Sequence, residues 1–254
     1  MNENTMRAKR ALAALRAADQ QGMGRVAGGM GAEATDRLAD LDACTIAYRT
    51  WSPSLIPGLL QTDSYAVNAI RERTPSLDMS ELERRVTHRR RRTENFLARR
   101  ASMPGTFAWL LIGEAAITRP LRGVHSHGEQ LRHLLAIGQD YGNIMIQVLR
   151  EDRPVVGTAE PFTIFSLDPG PKVGHLESLI GGWYTVAAED ISRLHSAFSD
   201  MLGWAMTPAE SREYIQEVLD TCWGPTTEHA SSSLPTPTPR TASTSPGLPP
   251  APSA

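Results

Sequence analysis

The sequence predicts an α+β domain, a small mixed or antiparallel sheet covered by helices with a C-terminal helical pair, and three observations predict it. Between about Ala32 and Trp223, segments with three- and four-residue apolar spacing alternate with short runs of β-branched and aromatic residues. Asp168, Pro169, Gly170 and Pro171 separate two such runs and turn the chain sharply, which makes the pair an antiparallel hairpin. Further on, Ile191, Leu194, Phe198, Met201, Leu202 and Ala205 form one apolar stripe, the mark of a helix laid on a core.

Taken in order, helices are predicted over 33–50, 63–73, 81–100, 127–140, 188–205 and 208–221, and strands over 106–112, 143–150, 162–167 and 173–178. Ser80 with Glu83, Ser126 with Glu129 and Thr207 with Glu210 each place a capping oxygen three residues before a carboxylate, and Pro208 suits a first helical position. Both ends differ in composition. Residues 1–32 read as an alanine-rich, helix-prone extension and a glycine-rich linker, with no strand before the glycines to make them a dinucleotide loop. Residues 224–254 are mostly Pro, Ser, Thr and Ala, a composition that cannot offset roughly 1–2 kcal/mol of backbone entropy per residue, and they read as a disordered tail. The folded domain is expected at 33–223.

Composition narrows the class. Of 254 residues 41% are hydrophobic and 21% charged, with a formal net charge of -2, as in ordinary globular proteins. No apolar run of about 18 residues and no signal-like N-terminus are present, so neither a membrane span nor export is expected. Cys44 and Cys222 lack the spacing of a disulfide framework or zinc site, and a reduced cytoplasm is the expected compartment. Near-neutral charge argues against bulk attraction to nucleic acid. Arg84, Arg85, Arg89, Arg90, Arg91 and Arg92 crowd one helix; interleaved with Glu81, Glu83 and Glu94, they read as a solvated face, with a phosphate-binding patch as the alternative.

The most specific segment is WSPSLIPGLLQTDSYA, from Trp51 to Ala66. Pro53 and Pro57 restrict its backbone, Gly58 permits a tight turn, and Thr62 can cap the helix that carries Tyr65. LLIGEAAITRP with Glu114, GEQLRHLL with Glu129 and Gln130, EPFTIFSL with Phe162, and PAESREYI from Pro208 follow in order. Together these five motifs resemble an uncharacterised domain that follows the helix-turn-helix in actinobacterial XRE-type, antitoxin-like regulators. That resemblance implies an effector domain. It begins here near residue 33, which leaves no room for a DNA-reading unit, so specific DNA binding is not expected.

Candidate chemistry centres on His175 and Glu177, two apart in a predicted strand and therefore on one face. A neighbouring carboxylate favours protonated His175, a general acid, whereas burial favours the neutral ring. Glu114, just past a strand, is expected to join them. His127, opening a helix on its inward side, completes a possible acid-base or metal set with His175 and Glu177; the alternative is a purely structural pair at the sheet surface. Ligand contacts are expected from Trp51, Gln61, Tyr65, His127 and Gln130, and if His175 and Glu177 are structural the site is expected around Trp51, Gln61 and Tyr65. Trp51, Trp109, Trp183 and Trp204 read as core residues and Cys44 as a small apolar one. No cofactor is expected, since phosphate loops, nucleophile elbows and zinc helices are absent from the sequence. Two functional classes stand: an effector domain that binds a small molecule or a protein partner, and an enzyme of specialised metabolism built on the same scaffold.

Overall fold

The computed structural model describes residues 6, 12–13, 26–27, 32–121, 124–153, 160–168, 170–178 and 181–223. The tail expected at 224–254 and nearly all of the extension and linker expected at 1–32 lie outside them.

The chain folds as α+β, with one mixed sheet between two helical layers. In order, the elements are β1 (Val26–Ala27), α1 (Ala32–Cys44), β2 (Thr45–Ser52), a 3-10 turn (Gly58–Leu60), α2 (Asp63–Arg73), α3 (Met79–Ser102) and β3 (Phe107–Gly113). They continue as α4 (Glu114–Thr118), α5 (Val124–Asp140), β4 (Ile144–Leu149), β5 (Phe162–Leu167), β6 (Lys172–Ser178), β7 (Gly181–Thr185), α6 (Ala188–Trp204) and α7 (Pro208–Trp223). The sheet order is β1-β7-β6-β5-β2-β3-β4. β2, β3 and β4 run parallel, and β5 turns back antiparallel to β2. The strand order therefore reverses at β2, and the chain beyond its carboxyl end is free to wall a crevice.

Several elements depart from the sequence reading, among them β1, β2, β7 and the short helix α4. A helix was expected through Thr50, yet α1 stops at Cys44 and the next eight residues form the central strand β2. Thr45, Ile46, Tyr48, Thr50 and Trp51 are the β-branched and aromatic side chains a pleated surface prefers, and tertiary pairing on both edges fixes them there. Nor was β7 expected, because Gly181 and Gly182 mask its period. Val26–Ala27, read as linker, pairs with β7 at Tyr184 and Trp183.

Caps shift in the same way. The side chain of Asp78, not Ser80, accepts the Glu81 N–H at 2.9 Å and starts α3. α5 begins at Val124, which puts Ser126 inside the helix rather than at its cap. Thr62 does cap α2, and Thr207 with Glu210 forms the reciprocal box at α7.

The larger core lies on one sheet face, where Tyr48, Leu110, Ile112, Ile146, Phe165 and Tyr184 meet Leu41, Phe96, Leu131, Leu134, Ile215 and Leu219 from the helices. Cys44 packs there as an apolar residue. The other face carries Trp51, Leu111, Phe162 and Ile164 against Phe198 and Met201 of α6, as the stripe requires. Trp183 and Trp204, expected in the core, are 41% and 49% exposed. No helix among the described residues is long and apolar enough to cross a membrane.

Candidate functional site

Alternation along β2, β5, β6 and β7 sends one row of side chains to the same sheet face. Thr50 pairs with Thr163, Thr163 with His175, and His175 with Tyr184. The two threonine hydroxyls are 3.0 Å apart. His175 stacks on Tyr184 with ring centroids 4.5 Å apart. This row forms the floor of a cavity of about 590 Å3, within the ~300–1,000 Å3 range of small-molecule sites. Glu177, one pleat further along β6, lines the same space.

The Arg-rich helix α3 supplies a wall. Arg85, His88, Arg89 and Arg92 recur at three- and four-residue steps and face the cavity, while Arg84, Arg90 and Arg91 point away. The expected solvated face is thus only half of this helix; the other half is folded inward. Leu38 of α1, Ile70 and Arg73 of α2 and the loop residues Pro53, Ile56 and Pro57 close the remaining sides.

Charge is compensated unevenly. Arg92 donates to Asp42 at 2.7 Å, an ion pair with side chains 13% and 4% exposed. Arg73 meets Glu177 at 3.0 Å, and Arg85 meets Glu81 at 2.7 Å. Arg89 instead donates to the neutral Gln61 Oε1 at 2.5 Å, and no carboxylate among the described residues lies within ion-pair distance of it. Burial and the neighbouring Arg92 lower the Arg89 pKa to about 10, so the guanidinium stays charged at neutral pH. The Tyr184 hydroxyl is buried with no hydrogen-bond partner among the described residues.

For His175 the competition between burial and carboxylate has a clear winner. Burial lowers its pKa to about 4 despite the opposing pull of Glu177, with Arg92 and Arg73 adding to the lowering. The ring is neutral at physiological pH, which removes the protonated general acid considered above. Burial pushes the Glu177 carboxyl up, but His175, Arg73 and Arg89 outweigh it and leave the group below its ordinary value.

The other expected site residues divide. Gln61 lines the cavity and donates to the Ile56 carbonyl at 2.7 Å, holding both the loop and Arg89. Trp51 borders the cavity from β2 but packs with the α6 cluster on the opposite face. Tyr65 and Gln130 act from behind. The Tyr65 hydroxyl accepts the Ile56 N–H at 3.2 Å, and Gln130 bonds Thr62 N–H and the Leu60 carbonyl at 2.7 and 2.6 Å.

Glu114 and His127 do not join His175 and Glu177, contrary to the expectation. Glu114 accepts the Tyr214 hydroxyl at 2.5 Å and the Glu151 N–H at 2.9 Å, tying α7 to the end of β4. His127 is buried between Tyr65 and Trp223, with Nε2 at 2.8 Å from the Ile117 carbonyl. The proposed metal set of His127, His175 and Glu177 is therefore not assembled, and no group of three or more His, Cys, Asp or Glu among the described residues is placed to hold a metal ion.

Sequence reasoning missed Arg73, Tyr48, Thr50, Thr163 and Tyr184, and named Arg89 and Arg92 only within the arginine cluster read as a solvated face or a phosphate-binding patch. One signal was available: Arg85, His88, Arg89 and Arg92 occupy positions i, i+3, i+4 and i+7 of a helix, an inward-facing stripe written in polar residues. The threonines and tyrosines carry no such signal, because their convergence depends on which strands become neighbours.

No curated protein and no solved structure matches the sequence. A family model matches residues 35–217, which take in every element from α1 to most of α7, and the chain belongs to the family described as Domain of unknown function (DUF5753).

Proposed function

We propose that this domain is an effector module that binds a small molecule in the cavity between α3 and the β2-β5-β6-β7 face. The observation that carries this reading is Arg89, a guanidinium that lines a cavity of small-molecule size and is satisfied there only by an amide. Buried polar groups are left open at a cost of about 1–3 kcal/mol each, and a ligand that completes them recovers it. The five sequence motifs that resemble the domain following the helix-turn-helix in XRE-type, antitoxin-like actinobacterial regulators support a regulatory role in the cytoplasm. In that role ligand binding shifts how the domain engages a DNA-binding or toxin-like protein partner, and the chain itself does not bind DNA specifically.

A second reading rests on His175, whose neutral ring is able to accept a proton from a bound molecule and so serve an enzyme of specialised metabolism as a base.

Fragment mapping on the isotope-labelled full chain tests the binding reading. Binders are expected to shift the amides of Thr50, Thr163, His175 and Gly182. Shifts confined to the apolar groove formed by Leu134, Ile146, Pro208 and Ile215, which lies elsewhere, overturn it.

A further inference from the structure

The charges of the cavity wall specify more than the existence of a ligand. Of the four lining arginines, three already face a carboxylate: Arg73 faces Glu177, Arg85 faces Glu81 and Arg92 faces Asp42. Arg89 has only the Gln61 amide oxygen within hydrogen-bond distance, and Glu177 acts on it only at longer range, so one lining guanidinium stands outside any close ion pair among the described residues. A planar guanidinium matches a carboxylate in two parallel hydrogen bonds, a stronger arrangement than one bond to an amide. The rest of the lining divides into an apolar side, Leu38, Ile56, Pro57 and Ile70, and a hydroxyl and imidazole side, Thr50, Thr163, His175 and Tyr184.

We propose that the ligand is a monocarboxylic acid with an apolar body, its carboxylate replacing Gln61 on Arg89. The proposal rests on the reading of this cavity as the binding site and adds the class of molecule. A monoanion matches the one lining guanidinium that is outside a close ion pair. A phosphate monoester, mostly dianionic at neutral pH, brings one charge too many beside Glu177. Of the lining carboxylates, Glu177 at the end of β6 is engaged by Arg73, which disfavours the ammonium of a basic ligand there.

The test uses the full chain with three probes, decanoate, 4-phenylbutyrate and indole-3-propionate, each beside its primary amide, and phenyl phosphate as the dianion. Titration calorimetry is expected to find an acid that binds at least about tenfold more tightly than its amide, as one charge-assisted hydrogen bond implies. Arg89→Gln is expected to weaken that acid by roughly 10- to 100-fold and its amide little, whereas Arg90→Gln, on the outer face, changes neither. Should Arg89→Gln fail to fold, Arg89→Lys, which keeps the charge and loses the fork, is expected to weaken the acid by about tenfold. Equal affinity for acid and amide, tighter binding of phenyl phosphate, or no binding of any acid overturns the proposal. Ile70→Trp, which fills the apolar side, separates the two levels of inference. If it abolishes binding of an acid and amide that bind equally, the cavity stands as the site and only the carboxylate is wrong. If acid binding survives it, the cavity itself is not the site.

Discussion

His175 lies almost flat on Tyr184, with ring planes 30° apart, and the space against its other edge is free only because residue 182 is glycine. A Cβ at that position would stand 2.4 Å from His175 Nε2. Three residues from two adjacent strands thus fix one imidazole at the floor of the cavity, and burial there keeps it neutral.

A pH dependence of stability follows from this burial. The folded-state pKa of His175, about 4, lies below the ordinary histidine value of 6.5, so between these two values the unfolded chain binds more protons than the folded one. The contribution is full above pH 6.5 and is lost as pH falls toward 4; its ceiling is on the order of 3 kcal/mol. Urea unfolding of the protein and of His175→Gln from pH 4 to 7 is expected to show a steeper acid limb in the former. Parallel limbs contradict the assignment.

Gly182→Ala is expected to destabilise the domain by about 1–3 kcal/mol, the usual cost of overpacking, because the imbedded ring must move. The double variant Gly182→Ala with His175→Ala is expected to recover part of that loss. Additive losses in thermal melts would show that the clash lies elsewhere.

The Asp42–Arg92 pair anchors the α1 and α3 layers beside the cavity. Asp42→Asn removes one charge and leaves the guanidinium facing a neutral amide in a mostly buried site, at a cost of roughly 3 kcal/mol. A fall in melting temperature on the order of 6–12 °C is expected at this chain length. Replacing both residues by Leu and Met is expected to restore most of it, since the desolvation cost disappears with the charges. A single-variant shift under about 2 °C refutes the buried-pair argument.

Truncation separates the tail from the terminal helix. Ending the chain at Trp223 keeps Ile215 and Leu219 in the core, and is expected to leave the melting temperature within about 2 °C of the full chain. Ending it at Thr207 strips both residues, each worth about 1.5–3 kcal/mol of burial, and the Ser211 hydroxyl that accepts the Val148 N–H at 2.9 Å. Loss of cooperative unfolding is expected for the shorter chain.

Much of this domain is determined by short-range pattern. The helix over 63–73 and the strand over 162–167 are read correctly to the residue, because Thr62 caps the first and Pro161 and Asp168 bound the second. His175 and Glu177 share a face for the same local reason, the period of two in a strand. The switch from helix to strand at Cys44 is not local: β2 exists because β3 and β5 pair on either side of it. Nor could sequence tell that Glu114 and His127 are held apart from His175, since each is fixed by a partner about a hundred residues along the chain, Tyr214 for the first and Trp223 for the second. Side-chain period fixes which residues share a face of one element; only the pairing of strands β2, β5, β6 and β7 under α3 decided which faces meet, and with it that Arg89 and Tyr184 border one cavity.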